Sequence, residues 1–317
     1  MAMNRVQFQP GLSMQEFYRL YGTEEQCEQA VMQWRWPNGF VCPPCGGAQR
    51  TQFRRGELLY FQCASCQYQC SLIAGTIFAS TKLALHTWFL GMHLLSKAKT
   101  NVSALELSRD LALSYRTALL MKHKLMETMR LREEPRQLTG RVEIDDAYLG
   151  GERSGGKPGR GSENKVAFIC AVQTTEDGQA VRACLSLRPF TNDAMAEFAA
   201  QSLALPLTVV SDGLPCFAAL ASHGGVHDRT VTGGGKAASA LPRFRAVNTI
   251  LGNLKTSMAG AYHAIDFKKY AHRYLAEFQY RFNRRFDLAV ILKRLVIAVI
   301  QTKPCPRRQL WAAEVGA

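Results

Sequence analysis

Three carboxylates crowd one short apolar stretch, VEIDDAYLGG at 142–151: Glu143, Asp145 and Asp146. Val142, Ile144 and Ala147 give it the pattern of a β-strand, yet acids are depleted in strands and an unpaired buried carboxylate is costly. Another acid, Asp212, sits at the end of a second apolar run, LTVVSDG. Acids at strand centres or ends in an α/β sheet are where metal and catalytic ligands tend to lie. Two carboxylates on adjacent strands can share Mg²⁺ (or Mn²⁺), a hard cation that prefers oxygen. Phosphodiester chemistry uses two such ions about 3.5–4 Å apart, one for the attacking and one for the leaving oxygen. Alternation puts Glu143 and Asp145 on one strand face and Asp146 on the other. Asp145 and Asp212 are therefore the ligand candidates, and Asp146 is expected to pair with a basic side chain. The alternative is that Asp145 and Asp212 are only cap or salt-bridge acids.

A second constellation is made of thiols. Cys42 and Cys45 form one CxxC turn, Cys63 and Cys66 another, with 17 residues between. Zn²⁺ takes four soft ligands at tetrahedral corners, and each CxxC turn offers two thiolates to one ion. The spacing matches a zinc ribbon, and RTQFRRGELLYFQ between the turns supplies its strands. Cys70 is a spare, and Cys27, Cys170, Cys184, Cys216 and Cys305 are isolated, which suits small buried residues.

The elements that must hold these groups can be read around them. Residues 13–35 read as helical, with Thr23 and Gln26 in a capping-box pattern. Residues 85–131 read as helices. Within them a helix from about Val102, a turn near Ala112-Leu113 and Ser114 as N-cap resemble a helix-turn-helix, or an ordinary helical hairpin. In the first case Tyr115, Arg116 and Lys122 face DNA. From 141 onward come the acidic strand, a glycine-rich loop expected to be mobile, and strands KVAFICAVQ and AVRACLSLR. The helix DAMAEFAAQSLA, the strand with Asp212, another helix and a second glycine-rich loop follow. The expectation is a mixed sheet with helices on its faces.

The 317 residues carry a net charge of +14, which points to a polyanion such as nucleic acid. The charge is +6 over 1–140, +1 over 141–265 and +7 over 266–317, so a near-neutral middle lies between two basic regions. The N-terminus lacks a signal-peptide pattern, and LAVILKRLVIAVI, broken by Lys293 and Arg294, is too short to span a bilayer. A cytoplasmic, reducing compartment and no membrane partner are expected. Tyr274, Phe278, Phe282 and Phe286 recur at helical spacing and read as core. Arg281, Arg284 and Arg285 either grip phosphates or form a solvated face.

VEIDDAYLGG, VVSDG, VNTILGNLKTSMAGAYHAI and RYLAEFQYRFNRRFDL occur in one order, behind CPPCGG…CASC and AGTIF…TKL…W. Together they resemble bacterial insertion-sequence transposases, in which a zinc ribbon precedes an RNase H-like DDE domain. The likeness runs over roughly 30–300. It implies that Asp145 and Asp212 are catalytic. The third ligand, Glu in many relatives, is matched here by Asn248, and Lys255 follows seven residues later. Two helical turns put Asn248 and Lys255 on one face. An Asn carbonyl binds Mg²⁺ without adding charge, so weaker metal binding is expected. Asn248 read without the resemblance is a helix N-cap, and Lys255 a solvated lysine. His227 and Tyr262-His263 are either substrate contacts or structural residues.

The resemblance implies an α/β, RNase H-like chain divided as an N-terminal helical segment 1–35, zinc ribbon 36–80, helical region 81–138, catalytic domain 139–290 and C-terminal helix and tail 291–317. It implies cleavage at transposon ends and transfer of the 3′-OH into target DNA. The partners are double-stranded DNA (terminal inverted repeats and target) and further copies of the chain, in the cytoplasm with the nucleoid. The rivals are a non-catalytic zinc-dependent regulator and a structure-specific nuclease.

Overall fold

The computed structural model describes residues 6, 8–150, 165–231, 241–262 and 265–312. The loop at 151–164, most of the loop at 231–239, and His263 lie outside the described residues. The chain forms two compact units. One holds residues up to Ala98, Ala104–Thr128 and Phe286–Trp311; the other holds Lys99–Ser103 and Met129–Arg285.

The first unit begins with α1 (Met14–Tyr21) and α2 (Glu24–Arg35). The helix expected over 13–35 is thus two. Each opens on a capping box, Ser13 with Glu16 and Thr23 with Gln26, and the second box restarts the chain after Gly22. Strands β1 (Arg50–Arg55), β2 (Leu58–Cys63) and β3 (Gln69–Ser71) form an antiparallel sheet in that order. Trp36, Phe40 and Phe61 pack together beside it, with ring centroids 5.0–5.8 Å apart. Helices α3 (Leu85–Lys97) and α4 (Ala104–Asp110) follow, and α5 (Tyr115–Glu133) is divided between the units. Ala112, at a positive φ of 51°, makes the turn after α4, and the Ser114 hydroxyl accepts the Thr117 amide at 3.3 Å. The two-helix geometry is therefore present.

The second unit is built on a five-stranded mixed sheet. Strands β4 (Leu138–Leu149), β5 (Val166–Thr174) and β6 (Ala180–Leu187) form an antiparallel meander. Helix α6 (Asn192–Ser202) then carries the chain to β7 (Leu203–Ser211), which pairs parallel to β4; β8 (Val226–Arg229) adds parallel to β7. The order β6-β5-β4-β7-β8 is that of an RNase H-like sheet. A 3₁₀ helix, Pro215–His223, precedes β8. Helices α7 (Arg245–Ala261) and α8 (Phe267–Phe282) complete the unit.

Alternation along β4 decides what each face does. Val142 and Ile144 point into a core with Met195 and Phe198 of α6 and Phe217 and Leu220 of the 3₁₀ helix. Arg141, Glu143 and Asp145 have the opposite parity.

Helix α9 (Ile291–Gln301) belongs to the first unit. Its Ile291, Leu292, Leu295, Val296 and Val299 are buried, it packs on α2 and α3, and its Val299 carbonyl accepts the Ile77 amide at 3.3 Å. The short α10 (Arg307–Ala312) ends the described chain. Among the described residues no helix is long and apolar enough to cross a membrane.

Candidate metal centres and acid cleft

The four thiols of the ribbon converge. Sγ of Cys42 lies 3.6 Å from that of Cys66, Sγ of Cys45 lies 3.6 Å from that of Cys63, and all four fall within 4.8 Å of one another. Zn–S bonds of 2.3 Å at tetrahedral angles require S···S edges of about 3.8 Å, so the thiols fit one structural Zn²⁺. Backbone amides of Cys66 and Ser65 pull the Cys63 thiol down to about 6, while burial pushes Cys42 up to about 12.

In the second unit, Ile144 of β4 pairs with Ser211 of β7, and the parallel ladder ends there. The next residues are Asp145, inside β4, which runs on to Leu149, and Asp212, just past the carboxyl end of β7; the pairing brings them side by side where ligands bind in open α/β sheets. The Asp212 carboxylate accepts the Leu214 amide at 3.0 Å, which fixes it in a tight turn. Asp145 accepts the Asp146 amide at 2.9 Å.

Asp146 departs from expectation. Oxygens of Asp145, Asp146 and Asp212 all lie within 4.8 Å of one another. β7 ends at Ser211, opposite Ile144, so the space beside Asp145 and Asp146 is open on that edge of β4 and the carboxylates converge there. Burial, then the charges of Asp146 and Asp212, push the Asp145 carboxyl up to about 7; the Asp146 amide and Lys255 act the other way. This crowding of hard oxygen donors suits a divalent cation, whose charge offsets their repulsion.

The opposite wall comes from α7. Asn248, Leu251, Gly252 and Lys255 recur at helical spacing and line a cleft of about 620 Å³ with Asp145, Asp146, Tyr148 and Lys165. Asn248 lies inside the first turns of α7, whose N-cap position is held by Phe244, so it is not the N-cap.

One residue with no role assigned from sequence belongs here. Glu143, 1% exposed, accepts the Val247 amide of α7 at 2.9 Å and an Arg141 N–H at 2.6 Å. The signal was its shared parity with Asp145.

The matching family models are the ISXO2-like transposase domain, over residues 137–283, and the transposase zinc-ribbon domain, over residues 22–69. The chain belongs to the insertion-sequence transposases. It is also similar to a protein described as uncharacterized in transposable element ISH50 of Halobacterium salinarum, 29% identical over 135 residues. That match covers 41% of this chain and 44% of the relative.

The remaining candidate residues of this transposase divide by exposure. Arg116 and Tyr115 are exposed at the start of α5. Lys122 is fully buried, on the same stripe as Ala118, Leu125, Met126 and Met129, and so does not face DNA. The three arginines of the RFNRRF string are neither phosphate grips nor a solvated face. Arg281 donates to the Thr100 carbonyl at 2.9 Å and to Asn101, Arg284 pairs with the buried Glu133, and Arg285 donates to the Val181 carbonyl at 3.1 Å and to that of Ala180. Arginine's planar fork of donors suits it to satisfying carbonyls inside a protein. Burial lowers Arg285 to about 10. Tyr274 and Phe278 are buried as expected, but Phe286 lies beyond α8 and is 48% exposed. His227 on β8 sits 2.8 Å from the buried Ser211 hydroxyl, a structural contact.

Proposed function

We propose that this transposase is catalytically competent, cleaving a DNA strand at each transposon end and joining the freed 3′-OH to target DNA. The observation that carries the reading is the meeting of Asp145 and Asp146 of β4 with Asp212 at the end of β7, across a cleft from Asn248 and Lys255. Bound divalent ions would supply the charge that activates the attacking oxygen and stabilises the leaving oxygen. Asp145, Asp146 and Asp212 would hold them, and the Asn248 carbonyl would add a neutral ligand. The lysine at 255 places a fixed positive charge where a phosphodiester entering the cleft must pass. Water attacks the phosphorus at the transposon end, breaking the bond to the 3′ oxygen, which departs as 3′-OH. That hydroxyl then attacks a target phosphorus and displaces the target's own 3′ oxygen. No covalent protein–DNA intermediate is needed. Both ends must be joined together, so the working form is an oligomer in the cytoplasm, on the nucleoid, reading terminal inverted repeats through the ribbon and the α4–α5 pair.

The test is cleavage and strand transfer on labelled terminal-repeat DNA as Mg²⁺ or Mn²⁺ is titrated. Asp145→Ala and Asp212→Ala are expected to abolish both steps and leave DNA binding in place. Binding without cleavage by the wild type would favour the regulator, and cleavage without joining the nuclease.

A further inference from the structure

Helix α7 carries one wall of the cleft and is entered through a 3₁₀ turn, Pro242–Phe244, whose Pro242 carbonyl accepts the Arg245 amide. The residue at its N-cap position is Phe244, and no side chain there accepts a first-turn amide. The four free N–H groups of a helix start need acceptors, and a carboxylate satisfies both the hydrogen bond and the positive end of the helix dipole. Glu143 delivers one from the neighbouring strand. Its Oε2 accepts the Val247 amide at 2.9 Å, and its Oε1 accepts Arg141 at 2.6 Å. Arg141 donates in turn to the Thr174 hydroxyl at 2.9 Å and to the Arg243 carbonyl at 3.0 Å. Two residues of β4 thus hold the start of α7 on both sides, one by the carbonyl of Arg243 and one by the amide of Val247. Asp145 follows Glu143 by two residues on the strand, and Asn248 follows Val247 by one on the helix. With both oxygens of Glu143 engaged, it is not a spare ligand for a cation in the cleft.

We propose that Glu143, braced by Arg141, is a positioning residue that caps α7 from β4 and so fixes the separation of Asp145 and Asn248. The consequence for metal affinity rests on the divalent-cation reading above. A buried carboxylate is tolerated only when fully partnered, so the clamp has one arrangement rather than several. Partners that hold metal ligands in place typically alter affinity by about 10–100-fold when lost.

The experiment uses the full chain with Glu143→Gln, which keeps an acceptor but removes the charge, and Glu143→Asp, which keeps the charge but is one methylene too short. Three readouts are taken: hydrogen exchange at the Val247 and Asn248 amides, Mn²⁺ binding by electron paramagnetic resonance, and cleavage against Mn²⁺ concentration. Exchange at Val247 is expected to speed up, and the Mn²⁺ dissociation constant to rise about tenfold. Cleavage should recover at high Mn²⁺. Thr191→Ala is the control: it removes the cap of α6, where Thr191 accepts the Ala194 amide at 3.3 Å, and should leave Mn²⁺ affinity unchanged. Should both single variants fail to fold, Arg141→Met with Glu143→Leu replaces the pair by apolar groups of similar size. That double variant should fold and show the same loss of Mn²⁺ affinity. Wild-type exchange at Val247 in a folded Glu143 variant overturns the proposal, as does faster exchange with unaltered Mn²⁺ affinity. Wild-type protein that binds no Mn²⁺, like Asp145→Ala, would instead overturn the cation reading beneath it.

Discussion

Replacing Asp145 with Asn should make the metal-free protein more stable. Its carboxyl titrates near 7 in the fold against an ordinary 3.8, because burial and two neighbouring acids oppose its charge. Between those values the folded state binds more protons than the unfolded state, so stability falls as pH rises through that window and levels off above it. The separation, at about 1.36 kcal/mol per pH unit, sets a ceiling of roughly 4 kcal/mol on the destabilisation at pH 8. The cleft is open to water and salt, which trims this to about 2 kcal/mol. Asn keeps the shape and removes the charge. In EDTA at pH 8, hydrogen exchange of β4 and β5 amides should therefore show Asp145→Asn more stable by about 2 kcal/mol. At pH 4 the two proteins should converge. Adding Mg²⁺ at ten times its dissociation constant should stabilise the wild type by about 1.4 kcal/mol and leave the variant unmoved. Equal stability at pH 8, or an advantage that persists at pH 4, would refute the account of the site as a crowd of like charges.

Other outcomes follow from the same structure. Cys45→Ser should lose zinc and unfold the ribbon, since structural zinc supplies folding free energy; bound-zinc analysis and the fluorescence of Trp36 beside Phe61 would report it. Glu133→Ala strands Arg284 in the interior and should cost about 3–5 kcal/mol, measured by thermal unfolding. Arg281→Met should lower stability while leaving the salt slope of DNA binding unchanged, whereas each true phosphate contact contributes about 0.9 to that slope. A Cβ added at Gly252 meets no heavy atom within 4 Å, so Gly252→Ala should stabilise α7 by about 1 kcal/mol. Gly252→Leu should fold as well yet narrow the cleft and slow cleavage of DNA.

What the sequence disclosed were groups whose partners are local. The ribbon thiols sit in two CxxC turns, the Thr23–Gln26 box joins residues three apart, and Asp145 and Asp212 each end an apolar run. What it withheld depended on distant partners. The arginines of α8 and its edge carry charge that reads as surface until Thr100, Asn101, Glu133 and the carbonyls of β6 are seen around them. Lys122 is disguised in the same way, a cation on a buried stripe. Period-two alternation put Asp146 on the far face, yet beside the end of β7 its carboxylate lies within 4.8 Å of those of Asp145 and Asp212. β8 is only Val226–Arg229, on the sheet edge with Val226 66% exposed, and carries too little apolar pattern to announce a strand.

The placement of α9 in the first unit has a consequence for how the protein is made. The ribosome releases α2 and α3 early, but Ile291–Gln301, which packs on them, emerges after the whole RNase H-like unit has been synthesised. Until then the apolar faces awaiting Leu292, Leu295 and Val299 stand open. The RNase H-like sheet can close during synthesis, while the amino-terminal unit must wait for release. A late stop codon or frameshift near residue 290 would therefore disable the beginning of the protein rather than its end. A truncated copy would retain every acid of the cleft and lose the helix that packs on α2 and α3.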